Sequence, residues 1–518
     1  MRFEFIIPNP LGVKTLQSGL QENIRLSADP SRILQRTCYD SFDWRLYAQD
    51  SVLEETRDGG EHRLVWRTLN SNTSLAQITL PRPPRFVQDL PPGRFRDRLE
   101  PILEMRELVP LLEISTRLHT LRVLNKSDKT VARLLIENNT VRRHGGDKSF
   151  RLGKRAIVLP VKGYQKSFKQ VIKGLEAMGL TAATDDFMLS AMARIGLTPE
   201  VYSTKLNLQL EPAMRADQAT RIILHRLLDV MTLNEAGTRI GTDTEFLHDF
   251  RVAIRRTRSA LTQIKGVLPL RIANRYKAEF AWMGQITTPS RDLDVYLLNF
   301  DDYRDSLPAS AQADIEPLRD FLVRHQAIEH KALVKALDSA RYRRLLESWR
   351  TFLEQEAPVR STLPSARRPI VEVANKRIWR IYQRALKEGH AIDAASPAEA
   401  LHELRKTCKK LRYLIEFFQS LYPAARIKAL IRVLKTLQDN LGNFQDYEVQ
   451  VATLKAFSHQ MVAEGKVPPD TLLAMGMLID GLERRQHQAR EEFAGRFSRF
   501  ALPENRKHFR KLFTVSTG

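Results

Sequence analysis

The sequence predicts an α+β multidomain chain, with an N-terminal antiparallel β-barrel-like domain and a C-terminal all-α pair of pseudo-symmetric four-helix bundles. Three observations predict it. Strand-like runs bounded by turn residues dominate the early part of the chain. Helical periodicity then continues almost to the C-terminus. Finally, a segment of the helical region returns without a gap 154 positions later. With 518 residues and 43% hydrophobic content, the chain can fill several cores at about 100–200 residues per domain.

In the first domain, residues 1–200, the strand signals are Phe3 to Ile7, Arg63 to Arg67, Ala76 to Leu80, Leu118 to Leu124, Val131 to Ile136 and Ala156 to Val161. Gly59-Gly60 and Gly145-Gly146 mark turns. Helices are expected at Leu11 to Leu26 and Ser167 to Met178, where Phe168, Val171, Ile172 and Leu175 recur at helical spacing. Arg63, Arg67, Arg117, Arg122 and Arg133 either line a barrel interior or alternate outward to solvent, and periodicity alone leaves both readings open.

The second domain, residues 205–505, divides into a first repeat at about 210–355 and a second at about 365–505, with Pro358 to Pro369 as the linker. Helices are expected at 212–233, 244–267, 271–287, 293–300, 312–337, 340–353, 369–388, 398–421, 427–441, 447–463 and 470–497, and Gly442 reads as a helix stop. Thr242-Asp-Thr-Glu245 and Ser396-Pro-Ala-Glu399 both read as capping boxes, with Pro397 at the first helical position. Pro269 and Pro423 match at the same offset, as do Asp292 with Asp446 and Asp294 with Glu448.

The heart of the repeat is Leu247-His248-Asp249-Phe250-Arg251-Val252-Ala253-Ile254-Arg255-Arg256-Thr257-Arg258, which returns as Leu401-His402-Glu403-Leu404-Arg405-Lys406-Thr407-Cys408-Lys409-Lys410-Leu411-Arg412. At about 100° per residue, His248, Arg251, Arg255 and Arg258 share one sector, opposite Phe246, Phe250, Ile254, Leu261 and Ile264. In the second copy His402, Arg405, Lys409 and Arg412 oppose Leu404, Cys408, Leu411, Ile415 and Phe418. Each helix thus has a packing face and a cationic stripe. Arg377, Arg380 and Arg384 also share a face, and Arg341, Arg343 and Arg344 cluster, but exposed cations are the ordinary state and these are read as solvated.

The doubled stripe, each copy followed by Arg291-Asp292-Leu-Asp294 or Gln445-Asp446-Tyr-Glu448, resembles the CHAD family of histidine-containing α-helical domains. That resemblance implies two four-helix bundles that bind inorganic polyphosphate. It assigns binding positions to His248, Arg251, Arg255 and Arg258, and to His402, Arg405, Lys409 and Arg412, and the adjoining cations Arg256 and Lys410 are counted with the same candidate site. Asp292 and Asp446 either orient these side chains or cap the next helix. Gln445, standing where the first copy has Arg291, makes the two halves unequal. The earlier domain, from Cys38-Tyr-Asp-Ser-Phe-Asp-Trp-Arg-Leu46 through Arg117 to Glu137, is similar to the CYTH family of tunnel triphosphatases. Its first strand reads Arg2-x-Glu4-x-Ile6 in place of the family's Glu-x-Glu-x-Lys, and Ala156 to Lys162 holds no acid. Carboxylates able to hold magnesium are therefore expected to be lost, with no catalytic residues, no metal and no cofactor.

A formal net charge of +22, from 82 basic and 60 acidic residues, suits polyanionic partners. Inorganic polyphosphate is preferred over nucleic acid because base-stacking aromatics are sparse on the stripes, with Tyr413 the one clear candidate. The rival enzyme reading is a triphosphatase in the first domain, or a metal phosphohydrolase built on His225, His248, Asp249 and Asp292. At the repeat offset Asp249 becomes Glu403 and His225 becomes Trp379, so the cations recur where these ligands do not. Cys38 and Cys408, the two cysteines, fit a reducing compartment. A start without a signal-peptide core and the lack of a run of about 18 apolar residues predict a cytoplasmic protein without membrane contact, compatible with a place on polyphosphate granules. The oligomeric state is not indicated.

Overall fold

The computed structural model describes residues 3–9, 11–58, 61–69, 73–199, 202, 206, 208–465 and 467–514, so Arg2 and Gly59-Gly60 lie outside it. The chain forms two compact units, Met1–Tyr202 and Ser203–Gly518.

The first unit begins with β1 (Phe3–Ile7), α1 (Val13–Gln21), β2 (Leu26–Ala28), β3 (Arg32–Asp40), β4 (Ser51–Asp58), β5 (Glu61–Thr68) and β6 (Ser74–Leu80). It continues with α2 (Arg94–Leu103), β7 (Val109–Leu124), β8 (Thr130–Arg143), β9 (Ser149–Pro160), α3 (Gln165–Ala177), β10 (Thr181–Ala182) and α4 (Phe187–Arg194). All ten strands form one antiparallel sheet, in the order β10-β1-β9-β8-β7-β3-β4-β5-β6, with β2 alongside β7. Strand β7 is much longer than its sequence signal because its buried parity changes along its length. Leu112, Ile114, Thr116 and Leu118 are buried first, then Leu121 and Val123. Leu112 and Ile114 join a core with α4, whereas Leu121 and Val123 join Leu16 and Leu20 of α1 and Val171 and Leu175 of α3. A strand that serves two cores has no single alternation to read. β3, β4, α2 and α4 also lacked a sequence signal, and the helix expected to reach Leu26 gives way to β2.

The second unit contains α5 (Ala216–Ile240), α6 (Thr244–Gln263), α7 (Leu270–Leu298), α8 (Phe300–Asp305), α9 (Glu316–Leu337) and α10 (Ala340–Glu354). The second copy follows as α11 (Ile370–His390), α12 (Ala398–Phe418), α13 (Ala424–Ala463), α14 (Pro469–Phe500) and α15 (Pro503–Phe513). Within each copy successive long helices pack in turn, and α10 returns to α5 as α15 returns to α11. The predicted packing faces are inside: Phe250 and Ile254 in α6, and Leu404, Cys408, Leu411, Ile415 and Phe418 in α12, are essentially inaccessible. Aromatic and aliphatic side chains from α7, α8 and α9 share one core with those of α13 and α14, joining the copies.

Several local expectations are corrected. Gly442 lies inside α13, where the helix continues through it, and Pro289 likewise sits inside a continuous α7. The N-cap of α6 is Asp243, whose carboxylate accepts from the amides of Glu245 and Phe246, in place of Thr242. In the second copy Pro397 is the N-cap without a side-chain bond, and Ser396 turns back to Asp393. The matched prolines share a role, Pro269 capping α7 and Pro423 capping α13. Among the described residues no helix is long and apolar enough to cross a membrane.

Candidate functional site

Helices α6 and α12 pack against each other, and their stripes meet there. Between them stands Glu416, which takes Arg256 of the first copy at 2.9 Å and Arg412 of its own helix at 2.7 Å. Arg256 is only 13% exposed. It therefore serves the seam between the copies, and its neighbours carry the open face.

Arg255 is exposed, while His248, Arg251 and Arg258 are half-buried on the same helix. Arg251 is fixed to α7, donating to the carbonyl of Gly284 and to the hydroxyls of Thr287 and Thr288 at 2.8–3.2 Å. Burial pulls its pKa down to about 10, against Asp292 and with Arg255 and Arg291 adding to the fall, which leaves it charged at neutral pH. Arg258 lies over Gly284, where an added Cβ would come 3.4 Å from Nη1.

In the second copy Lys409 is half-buried. Burial and the neighbouring Arg405, Arg255 and Arg412 lower its pKa to about 8, against the pull of Asp446. Arg255 belongs to the other copy, so at this point cations of the two stripes lie near each other. Arg405 donates to Asp446 at 3.0 Å and to Gln445 at 3.4 Å. Lys410 faces away from this seam, into a cleft lined by α6, α7 and α11, and Tyr413 is half-buried on α12.

The copies differ around their histidines. Arg291 Nη2 lies 3.2 Å from His248 Nδ1, and since guanidinium only donates, that nitrogen must accept. His402 Nε2 instead lies 2.7 Å from Glu448 Oε2, without hydrogen-bond geometry. Asp292 and Asp446 sit within α7 and α13, so neither caps a following helix. Asp446 receives Arg405. Asp292 is exposed by surface area, yet local desolvation raises its pKa while Arg251 and Arg291 lower it. Sequence reasoning missed Glu416, because its partner Thr262 at the repeat offset carries no charge.

In the first unit the interior charges differ from those expected. Arg67 lies inward, while Arg63, Arg117 and Arg133 face out and Arg122 is partly exposed beside Asp29. Arg36 and Arg155, which carried no sequence signal, join it. Arg36 reaches Glu137 at 2.8 Å, Arg67 reaches Asp186 at 3.0 Å, and Arg155 reaches Asp185 at 3.0 Å and Glu4 at 3.4 Å. Phe187 of α4 lies under both Arg36 and Arg155. Among the described residues no group of three or more His, Cys, Asp or Glu side chains is placed to hold a metal. His225, offered as a metal ligand, lies beside Asp229. Burial raises the pKa of both Cys38 and Cys408, which leaves them unreactive thiols.

Residues 222–455 match the family model described as the CHAD domain. Two Mycobacterium tuberculosis relatives, named uncharacterized proteins Rv2226 and MT2285, are 26% identical over 267 residues, 50% of this chain and 48% of theirs. The chain thus spans about half the length of the curated relatives it matches. The crystal structure of the CHAD domain from Ricinus communis is similar at 22% identity, covering 60% of this chain and 95% of that one, with a TM-score of 0.44. A candidate adenylyl cyclase from Hippeastrum with a dominant triphosphatase activity is similar at 11% identity, covering 39% of this chain and 99% of that one, with a TM-score of 0.26.

The seam can be tested by denaturation. Glu416→Leu takes the seam carboxylate from Arg256 and Arg412, so it should destabilise the second unit by about 3 kcal/mol, whereas Arg256→Met with Glu416→Leu should return to within about 1 kcal/mol of the parent. Equal loss in the single and double variants in urea titrations would refute the pairing.

Proposed function

We propose that the helical unit binds long-chain inorganic polyphosphate across the joined stripes of α6 and α12. The observation that carries this reading is the packing of α6 against α12, which brings Arg255 of one copy near Lys409 of the other. A linear polyanion laid across them meets Arg forks, which take phosphate oxygens in pairs, and a Lys point charge. Held at one stripe, a long chain gains effective concentration at the other. The match of residues 222–455 to the CHAD domain family supports the same reading. A place on polyphosphate granules is its cellular corollary. The first unit, with its interior carboxylates committed to arginines, is read as non-hydrolytic.

Calorimetry at one salt concentration with long and short polyphosphate, RNA and duplex DNA tests the proposal. Arg255→Glu with Lys409→Glu should weaken the long chain by about 100-fold, as expected when avidity is lost, and the short chain far less. Binding of the long chain should also fall steeply with salt, by analogy with the roughly 0.7–0.9 log units per contact seen for nucleic acids. Equal weakening of long and short chains, or tighter binding of RNA, would overturn the reading.

Lys409 adds a pH dependence. A polyanion favours the ammonium form, so affinity is full below pH 8 and declines as pH rises through about 8, by at most about tenfold per pH unit for one proton. Lys409→Arg should flatten the decline, and a parent profile that is already flat between pH 7 and 9 would remove Lys409 from the site.

For the first unit, the full chain supplied with magnesium and triphosphate should show no turnover. Hydrolysis that Glu4→Gln abolishes would contradict this.

A further inference from the structure

The arginines of α11, read from the sequence as a solvated face, line a cleft that the stripes do not explain. It has a volume of about 520 Å³ and lies between the α6–α7 turn of the first copy and the α11–α12 hairpin of the second. Six cations line it: Lys265, Lys277, Arg377, Arg380, Arg384 and Lys410. Of these, Arg384 is paired with Glu388, and the other five have no ion pair among the described residues. Arg377 is half-buried, donates to Gln263 at 3.1 Å, and keeps a buried Nε without a hydrogen-bond partner. Leaving a cation desolvated without a counter-charge costs stability, and an anionic ligand would remove that cost.

The cleft also breaks the repeat. At the 154-residue offset Arg377, Arg380 and Arg384 fall on Ile223, Arg226 and Val230, while Lys265 and Lys277 fall on Gln419 and Ile431. Thr262, at its edge, falls on Glu416. Four of the six cations thus have no charged counterpart, so they are not a by-product of the duplication that made the stripes. The walls are tied together by the Arg377 bond and by Ser365, whose amide donates to Gly266 at 2.9 Å. One side is apolar, formed by Leu268, Leu270 and Ile381, and Asn274 adds an amide. Its volume is within the roughly 300–1,000 Å³ of small-ligand pockets.

We propose that this cleft binds a nucleoside polyphosphate, its phosphates on the five unpaired cations and its organic part on the Leu268–Ile381 wall. The site is separate from the stripes and does not depend on what they bind. ATP is the probe, titrated calorimetrically into the full chain at fixed ionic strength. Arg380→Glu with Lys277→Glu, both at exposed positions, should weaken ATP by about tenfold or more, the scale of two lost charge-assisted contacts. The same variant should leave long-chain polyphosphate binding nearly unchanged. Arg255→Glu with Lys409→Glu should do the reverse, so failure here and failure of the polyphosphate reading give different patterns. No ATP saturation up to about 1 mM, or ATP loss only in the stripe variant, would overturn the proposal. Inorganic tripolyphosphate binding as tightly as ATP would overturn the role of the apolar wall. Arg377→Lys, which keeps the charge and loses the fork, should weaken ATP while the melting temperature stays put.

Discussion

At the junction of its two copies the helical unit places a carboxylate, Glu416, between arginines of both. Duplication of a helix that carries four cation-capable residues on one face creates a problem when the copies pack through those helices. Like charges are then brought together in a partly desolvated seam, where their repulsion is strengthened. Glu416 answers it by holding Arg256 from one copy and Arg412 from the other. The remaining cations stay at the surface, close enough for Arg255 to act on Lys409. While Arg405 finds Asp446, Glu416 thus bridges the two helices at the seam.

That acid also makes the pair asymmetric, and the asymmetry spreads. Thr262 in the first copy corresponds to Glu416, so the duplicate of the seam on the other side has no carboxylate. The cleft of Arg377 and Arg380 lies on that side. Around the histidines the copies diverge again. Arg291 obliges His248 to accept at Nδ1, whereas Gln445 leaves His402 facing Glu448. A fold that is symmetric in its helices is therefore asymmetric in its charges.

How much of this is legible in the sequence follows from which interactions are local. The stripes and packing faces of α6 and α12 are written in a helical period, and Phe250, Ile254, Leu404 and Cys408 are buried accordingly. Gly442 misleads because a glycine inside a long helix costs only about 1 kcal/mol, which the packing of α13 against α14 easily offsets. The capping boxes mislead because Asp243 competes with Thr242 from the adjacent position, and because Ser396 finds Asp393 first. Glu416 has no local signature, since its role exists only once two helices some 160 residues apart are brought together. Arg67 shares the alternation of the exposed Arg63, and what separates them is the acids Glu54 and Asp186 that meet Arg67, a difference the strand period does not record.

The two units set the same residue type to opposite ends. In the first, Arg36, Arg67 and Arg155 lie in the interior and each meets carboxylates, two of them supplied by Asp185 and Asp186 just before α4. Burial would lower the Arg36 pKa, but Glu137 and Glu54 raise it overall, so the charge is kept and fully answered. An interior neutralised in this way holds α4 in place. In the second unit cations outnumber the acids that face them, and the pKa values of Arg251, Arg377 and Lys409 fall under burial and mutual repulsion. Neutralisation from within makes an arginine cluster structural, and its absence leaves a surface whose electrostatic free energy falls when a polyanion arrives. The total charge of the chain hides this difference, which lies in whether each arginine finds an acid of its own.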